Sequence, residues 1–320
     1  MTPKCYGCYK PVDQPGFHPK CAKQIFGTTH VPSLEPSERE LEKYARIFIK
    51  ERLAITGVQR KISLHLDAKD NTRFTIVGAL GGNYILKPPS NEFSQLPELE
   101  DLTMHLAQAV GLQVAIHTLI PMADQQLAYI TKRFDRQGAQ KIAQEDACQL
   151  GEMLTENKYR SSHERLAKII KRYSSFPGDD LLRLFELTLF SFLTGNADMH
   201  LKNFSLLKNA KGHYRLSPAY DLVPTRLLLS ESEDPEELAL HLSGKKSHLK
   251  RFDFLKYASY LEIPEKVQQA TFDRFEKRLP KMLDWIERSF LTEDRKQAYR
   301  QLIATRWHRV ADGPPIGSSG

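Results

Sequence analysis

Asp198 and Asn203 lie in GNADMHLKNFS, residues 195–205, with four residues between them, and Asp221 follows in SPAYDLVP. Phosphoryl transfer requires a carboxylate that orients an attacking hydroxyl and takes its proton, with a second oxygen ligand nearby for Mg2+; Asp-x4-Asn is the spacing of a kinase catalytic loop. Asp221, at the end of the next hairpin, can complete the metal's ligand set with phosphate oxygens. Each residue alone reads as readily as a turn or capping residue. Their joint spacing, the intervening hairpin and the strands before them favour the phosphoryl-transfer reading.

Such a site also needs a grip on phosphate. Lys87 in YILKPP stands at a strand end, from which an ammonium reaches the α and β phosphates, and the alternative is a solvated strand-end lysine. Glu100 is the candidate to orient it, with Glu98 and Asp101 as rivals. Upstream, Thr56, Gly57, Val58, Gln59, Arg60 and Lys61 form a turn whose backbone N–H groups can cradle phosphate. One glycine is no fingerprint, and the segment matches neither the Walker nor the G-x-G-x-x-G pattern.

The elements that must position these residues follow from hydrophobic period. Residues 37–52 (SERELEKYARIFIKER) read as a helix opened by a Ser-x-x-Glu capping box. KISLHLDA, RFTIVGAL and NYILKPPS read as three strands, the last stopped by Pro88 and Pro89. A helix over residues 99–110, ended at Gly111, precedes two more strands in LQVAIHTLIPM and QLAYITKRFD. From Glu145 the pattern becomes mainly helical, with LLRLFELTLFSFLTG the most apolar run. The expected fold is therefore α+β and bilobal, a small mixed β lobe followed by a larger helical one. The boundaries expected are a Cys/His arm over 1–36, the small nucleotide-binding lobe over 37–135 and the catalytic lobe over 136–310. ADGPPIGSSG, residues 311–320, reads as an aperiodic tail.

Three of the four cysteines fall in the first 21 residues, as Cys5-x2-Cys8 and His18-x2-Cys21. Three thiolates and an imidazole suit structural Zn2+ in a tetrahedral site; the alternative is a short arm with reduced cysteines. At 41% hydrophobic and 27% charged residues, the 320-residue chain has the composition of a soluble globular protein. No stretch of membrane-spanning length and no secretory apolar core is present, so a cytoplasmic location without a membrane role is expected. The net charge of +7 is spread among 39 acidic residues, so nucleotide phosphate accounts for it as well as nucleic acid.

The segments TGVQRKISL, YILKPP, ITKRFDR, EDACQL, GNADMHLKNFSLL, YRLSPAYDLVP and LHLSGKKSHLKRFDFL, in that order across residues 56–255, resemble the HipA-like kinases of bacterial toxin–antitoxin modules. The resemblance implies a fold distantly related to protein and lipid kinases, with ATP and Mg2+ between the lobes. It implies Asp198 as catalytic base, Asn203 and Asp221 as metal ligands, and Lys87 as the phosphate lysine. It places Lys132, Arg133 and Phe134 in the strand that links the lobes and faces adenine, and His200, Lys202 and Tyr220 near the nucleotide. Long members of the family carry a further N-terminal subdomain, whereas this chain has the Cys/His arm. That is similar to the short HipT branch, where a separate small antitoxin resembles the subdomain and a third protein carries the DNA-binding helix-turn-helix. The implied target is an aminoacyl-tRNA synthetase, with tryptophanyl-tRNA synthetase favoured and translation inhibited. Rival readings are a small-molecule kinase and a non-catalytic nucleotide-binding subunit of a repressor complex.

The phosphate turn departs from the family, whose short members often read Ser-x-Ser before the glycine; here it reads Ala54-Ile55-Thr56. Thr56 retains a hydroxyl and is the candidate for autophosphorylation. A phosphate there adds about −1.5 to −2 of charge where ATP phosphates must sit, so it should inhibit. Mass spectrometry after incubation with ATP and Mg2+ is expected to find phospho-Thr56; an unmodified Thr56 in an active kinase refutes it.

Overall fold

Alternating apolar and polar residues over Ile62–Leu66 bury Ile62, Leu64 and Leu66 and turn Ser63 and His65 outward, the pattern of a strand covered on one face. In the computed structural model, which describes residues 3–34, 61–66, 72–77, 81–138 and 140–311, this strand (β1) belongs to a five-stranded sheet. Its partners are β2 (Phe74–Ile76), β3 (Tyr84–Lys87), β4 (His117–Pro121) and β5 (Leu127–Lys132), in the order β2-β1-β3-β5-β4, every neighbouring pair antiparallel. The helix expected over 37–52, Ala54 and the turn residues Thr56, Gly57, Val58, Gln59 and Arg60 lie outside the described residues, as does the tail from 312; Lys61 is exposed just before β1.

Contacts divide the chain into two units. One comprises residues 1–102, 115–141 and 288–291; the other comprises 103–114, 142–287 and 292–320. The Cys/His arm falls in the first. It carries a helix not expected from sequence, α1 (Pro19–Phe26), whose Ala22, Ile25 and Phe26 enter one core with Leu64, Phe74, Tyr84, Leu86 and Ile130. Phe26, Phe74 and Tyr84 meet as rings 5.3–6.3 Å apart, and the Tyr84 hydroxyl donates to Ile25 O at 2.8 Å. The helix after β3, α2 (Leu96–Ala109), starts three residues earlier than residue 99, and the division between the units runs through it after Leu102. A two-residue pair, β6 (Arg136–Gln137) and β7 (Gln140–Lys141), ends the first unit.

The second unit opens with β8 (Gln144–Asp146), the short helix α3 (Ala147–Leu150) and α4 (His163–Tyr173), followed by α5 (Pro177–Thr194). Because α5 is apolar nearly all round, it can only be a buried helix. Its Thr188, Ser191 and Thr194 hydroxyls bond carbonyls four residues back, at 2.8–2.9 Å, so no polar atom there is stranded. Strands β9 (Ser205–Lys208) and β10 (Tyr214–Leu216) form the expected hairpin, extended to three strands by β8, which the sequence did not signal. Helices α6 (Arg251–Tyr260), α7 (Glu265–Arg288) and α8 (Glu293–His308) complete the unit. Among the described residues no helix is long and apolar enough to cross a membrane.

Asp180, fully buried in the first turn of α5, ties that helix to the hairpin. Its carboxylate accepts from Ser174 Oγ (2.6 Å), Arg183 Nη1 (3.1 Å), Arg215 Nε (3.2 Å) and Leu216 N (2.9 Å). Asp180→Ala would leave several donors without their acceptor. It is expected to cost about 3 kcal/mol in unfolding free energy by urea denaturation; a loss within experimental error would show that the network contributes nothing.

Candidate active site

In the first unit Lys87 is paired with Glu100. Strand β3 ends on Lys87, and a helix that begins at Leu96 turns Glu100 towards it: Lys87 Nζ and Glu100 Oε1 are 2.5 Å apart, both buried. Across the ladder, Lys87 pairs with Tyr129 and its ammonium lies 5.4 Å from that ring's centre. Asp101, a rival for the lysine, instead accepts from the Tyr9 hydroxyl and meets His117 Nδ1, each at 2.6 Å. Glu98, the other rival, is pushed up from 4.5 to about 7, by burial first and then by the Asp101 charge. Strand β5 stops at Lys132, so Arg133 and Phe134 lie just beyond the strand in which they were expected. Arg133 N donates to Asn83 O at 2.9 Å, and its guanidinium is held by Asp135 at 2.9 and 2.8 Å.

In the second unit, α5 ends at Gly195 in the left-handed region (φ 73°), and the chain turns at once into the Asp198 loop. Asn196 Oδ1 accepts from Asp198 N (3.1 Å), and Asp198 O accepts from His200 N (2.8 Å) and Asn203 Nδ2 (3.0 Å). Asp198 and Asn203 are therefore brought together, and the amide nitrogen of Asn203 is engaged, leaving Oδ1 as its ligand atom. Asp198 Oδ1 accepts from the Tyr159 hydroxyl at 2.5 Å, while no described residue donates to Oδ2. The Tyr159 phenol is driven up, by burial first and then by Asp198, with Asp221 among the charges it feels. Asp221 itself sits at φ 61°, a left-handed conformation uncommon outside glycine.

Other expected residues brace this loop. His200 packs edge-on to Tyr159 at 5.0 Å, and burial holds its imidazole below its usual range against the opposing pull of Asp198. Lys202 Nζ lies 3.5 Å from Asp146, and the Tyr220 hydroxyl bonds Lys202 O (2.8 Å) and Ser205 Oγ (2.6 Å). Sequence reasoning missed Tyr159, Asn196, Asp146 and Thr225, whose Oγ1 accepts from Ala197 N at 2.9 Å. Asn196 was adjacent to the motif, but Tyr159 precedes Asp198 by 39 residues and carries no spacing signal.

The HipA-like C-terminal domain family model matches residues 53–285, which contain Lys87, Glu100, Asp198, Asn203 and Asp221. The chain belongs to the HipA-like family. Among its relatives, putative kinase Y4dM of Sinorhizobium fredii is 30% identical over 241 residues, 70% of this chain and 58% of that protein. The Ser/Thr-protein kinase toxin HipA of Shewanella oneidensis is 26% identical over 260 residues, 73% of this chain and 57% of that one. The HipA-like chain thus spans well under two thirds of these relatives. Its fold matches Shewanella HipA, solved with HipB and operator DNA, at a TM-score of 0.67 and 23% identity over 80% of this chain and 65% of that one. It also matches the Helicobacter pylori kinase CtkA at 0.53 and 17% identity, over 71% of this chain and 86% of that one. The α+β, kinase-like fold is thereby established.

Asn203 offers an amide oxygen and Asp221 a carboxylate, the donor types that suit a hard divalent cation, and the charges of Asp198 and Asp221 are both felt at Tyr159 and His200. Glu98 supplies a separate pH test. Its folded carboxyl binds a proton between 4.5 and about 7, so its contribution to stability is present below pH 4.5 and lost as pH rises through 7. Glu98→Gln is expected to flatten that decline and to stabilise the protein at alkaline pH by about 2 kcal/mol. Urea midpoints across the window check this; an unchanged decline in the variant refutes it.

Proposed function

We propose that this HipA-like chain is an ATP-dependent Ser/Thr protein kinase acting as a cytoplasmic toxin. The observation that carries the reading is the Asp198 carboxylate: Tyr159 fixes Oδ1, Oδ2 has no donor among the described residues, and Asn203 is bonded to the same loop. Asp198 orients a substrate hydroxyl and accepts its proton, while Asn203 and Asp221 hold Mg2+. That ion, when bound, neutralises phosphate charge. Lys87, kept in place by Glu100, holds nucleotide phosphate, as do the backbone N–H groups of Thr56 to Lys61. Backbone groups of Lys132, Arg133 and Phe134 face adenine. His200, neutral at physiological pH, and Lys202 and Tyr220 border the nucleotide. Rate enhancement then comes chiefly from positioning and charge complementarity.

The protein substrate is an aminoacyl-tRNA synthetase, with the tryptophanyl enzyme favoured, and its modification inhibits translation. The chain is of the HipT kind. Its partners are a helix-turn-helix antitoxin, through which alone it meets DNA, and a small antitoxin resembling the family's N-terminal subdomain; HipB beside Shewanella HipA supports the first. Labelled ATP and Mg2+ in a cytosolic extract depleted of its own kinases should give one labelled band of synthetase size. Asp198→Asn should reduce it on the order of 10²–10⁴-fold. Tight ATP binding without transfer to any protein would overturn the reading.

A further inference from the structure

The Cys/His arm lies outside residues 53–285, the span shared with the family, and the phosphoryl-transfer chemistry makes no use of it. One ligand atom from each of Cys5, Cys8, His18 and Cys21 lies within 4.8 Å of every other. Ligands around a tetrahedral ion at ~2.3 Å stand about 3.7 Å apart, so small side-chain adjustments close the set. His18 turns Nδ1 to the thiols, 3.3 Å from Cys8 Sγ, and its backbone N–H points at Cys5 Sγ, also at 3.3 Å. An N–H directed at sulfur stabilises the thiolate form that a metal requires. All four cysteines of the described chain are free thiols.

The backbone around the cluster is built rather than incidental. Cys5 N bonds Lys10 O and Tyr9 N bonds Cys5 O, both at 2.8 Å, closing a turn around the Cys-x2-Cys pair. Gly7 lets that turn approach α1: a Cβ there would stand 3.1 Å from Ile25 Cδ1 and 3.2 Å from Cys21 Cβ. Tyr9 is held at φ 59°, an outlier for a bulky residue that persists only where its surroundings impose it. Those surroundings are specific. The ring is buried 5.1 Å from Phe290, and its hydroxyl donates to Asp101, the residue next to Glu100.

We infer that Cys5, Cys8, His18 and Cys21 form a structural Zn2+ site that fastens the arm to the sheet unit and braces, through Tyr9 and Asp101, the helix that carries Glu100. Three thiolates and an imidazole in a tetrahedral set select Zn2+ over hard cations, which take oxygen. The ion crosslinks the Cys-x2-Cys turn to the start of α1 and so sets the position from which Tyr9 reaches Asp101. Binding releases the thiol protons, and no electron is transferred.

The test is metal analysis of the full chain as isolated, followed by Co2+ titration of chelator-stripped protein. About one Zn2+ per chain is expected, lost in Cys5→Ser and Cys21→Ser and retained in Cys148→Ser. Co2+ should give the intense visible bands of a tetrahedral thiolate site. Substoichiometric zinc in the isolated wild type, or weak octahedral Co2+ bands, overturns the site whether or not the protein transfers phosphate. Amide exchange over residues 96–102 should accelerate on stripping and recover on adding Zn2+. Unchanged exchange with stoichiometric zinc overturns the brace.

Discussion

The place of the Asp198 loop in the helical unit depends on the left-handed turn at Gly195. Upstream, α5 is buried without a break from Leu184 to Thr194 and so fixed in rotation and height. Downstream, no L side chain fits, since a Cβ at Gly195 would lie 2.7 Å from Leu302 Cδ2 and 2.8 Å from Arg226 Cβ. The carbonyl of Gly195 accepts from Arg226 N (3.0 Å) and Thr225 Oγ1 (3.2 Å), and Thr225 Oγ1 in turn accepts from Ala197 N (2.9 Å). The loop therefore leaves the helix in one direction only. Asp198 inherits its place from packing that is remote from its own carboxylate.

The sheet unit solves a different problem, burying a lysine and a glutamate side by side. Lys87 and Glu100 are 3% and 0% exposed, and taking both charges out of water costs several kcal/mol per ion before their attraction offsets it. A well-packed apolar pair would serve stability as well or better. Stability alone therefore does not account for the ion pair. The Tyr129 ring, 5.4 Å from the ammonium, adds a cation–π contact to the pair.

What the sequence disclosed and what it withheld divide along sequence distance. The five strands, the buried α5, the hairpin and the Asp-x4-Asn loop were legible because period and spacing are local properties. Lys87 and Glu100 were legible for the same reason, being a strand end and the next helix, though only geometry separated Glu100 from Glu98 and Asp101. Tyr159, Asp180 with Arg215, and β8 were not legible: each acts through partners dozens of residues away and leaves no period. The arm's helix was hidden for another reason. At eight residues it is too short to show amphipathic repetition, and its burial depends on a sheet encoded later in the chain.

Two aspartates of the helical unit show how the same side chain is put to opposite uses. Asp180 is fully buried, and its oxygens accept from a hydroxyl, two guanidinium groups and a backbone N–H. Those donors occupy the lone pairs of its two oxygens within the fold. Asp198 is half-buried, and among the described residues its carboxylate accepts from Tyr159 alone, at Oδ1. Its backbone, not its carboxylate, makes the remaining bonds of the loop, to Asn196, His200 and Asn203. The side chain is thus oriented by one hydroxyl, while Oδ2 meets no donor among the described residues. Orientation without saturation is what sets the Asp198 carboxylate apart from that of Asp180.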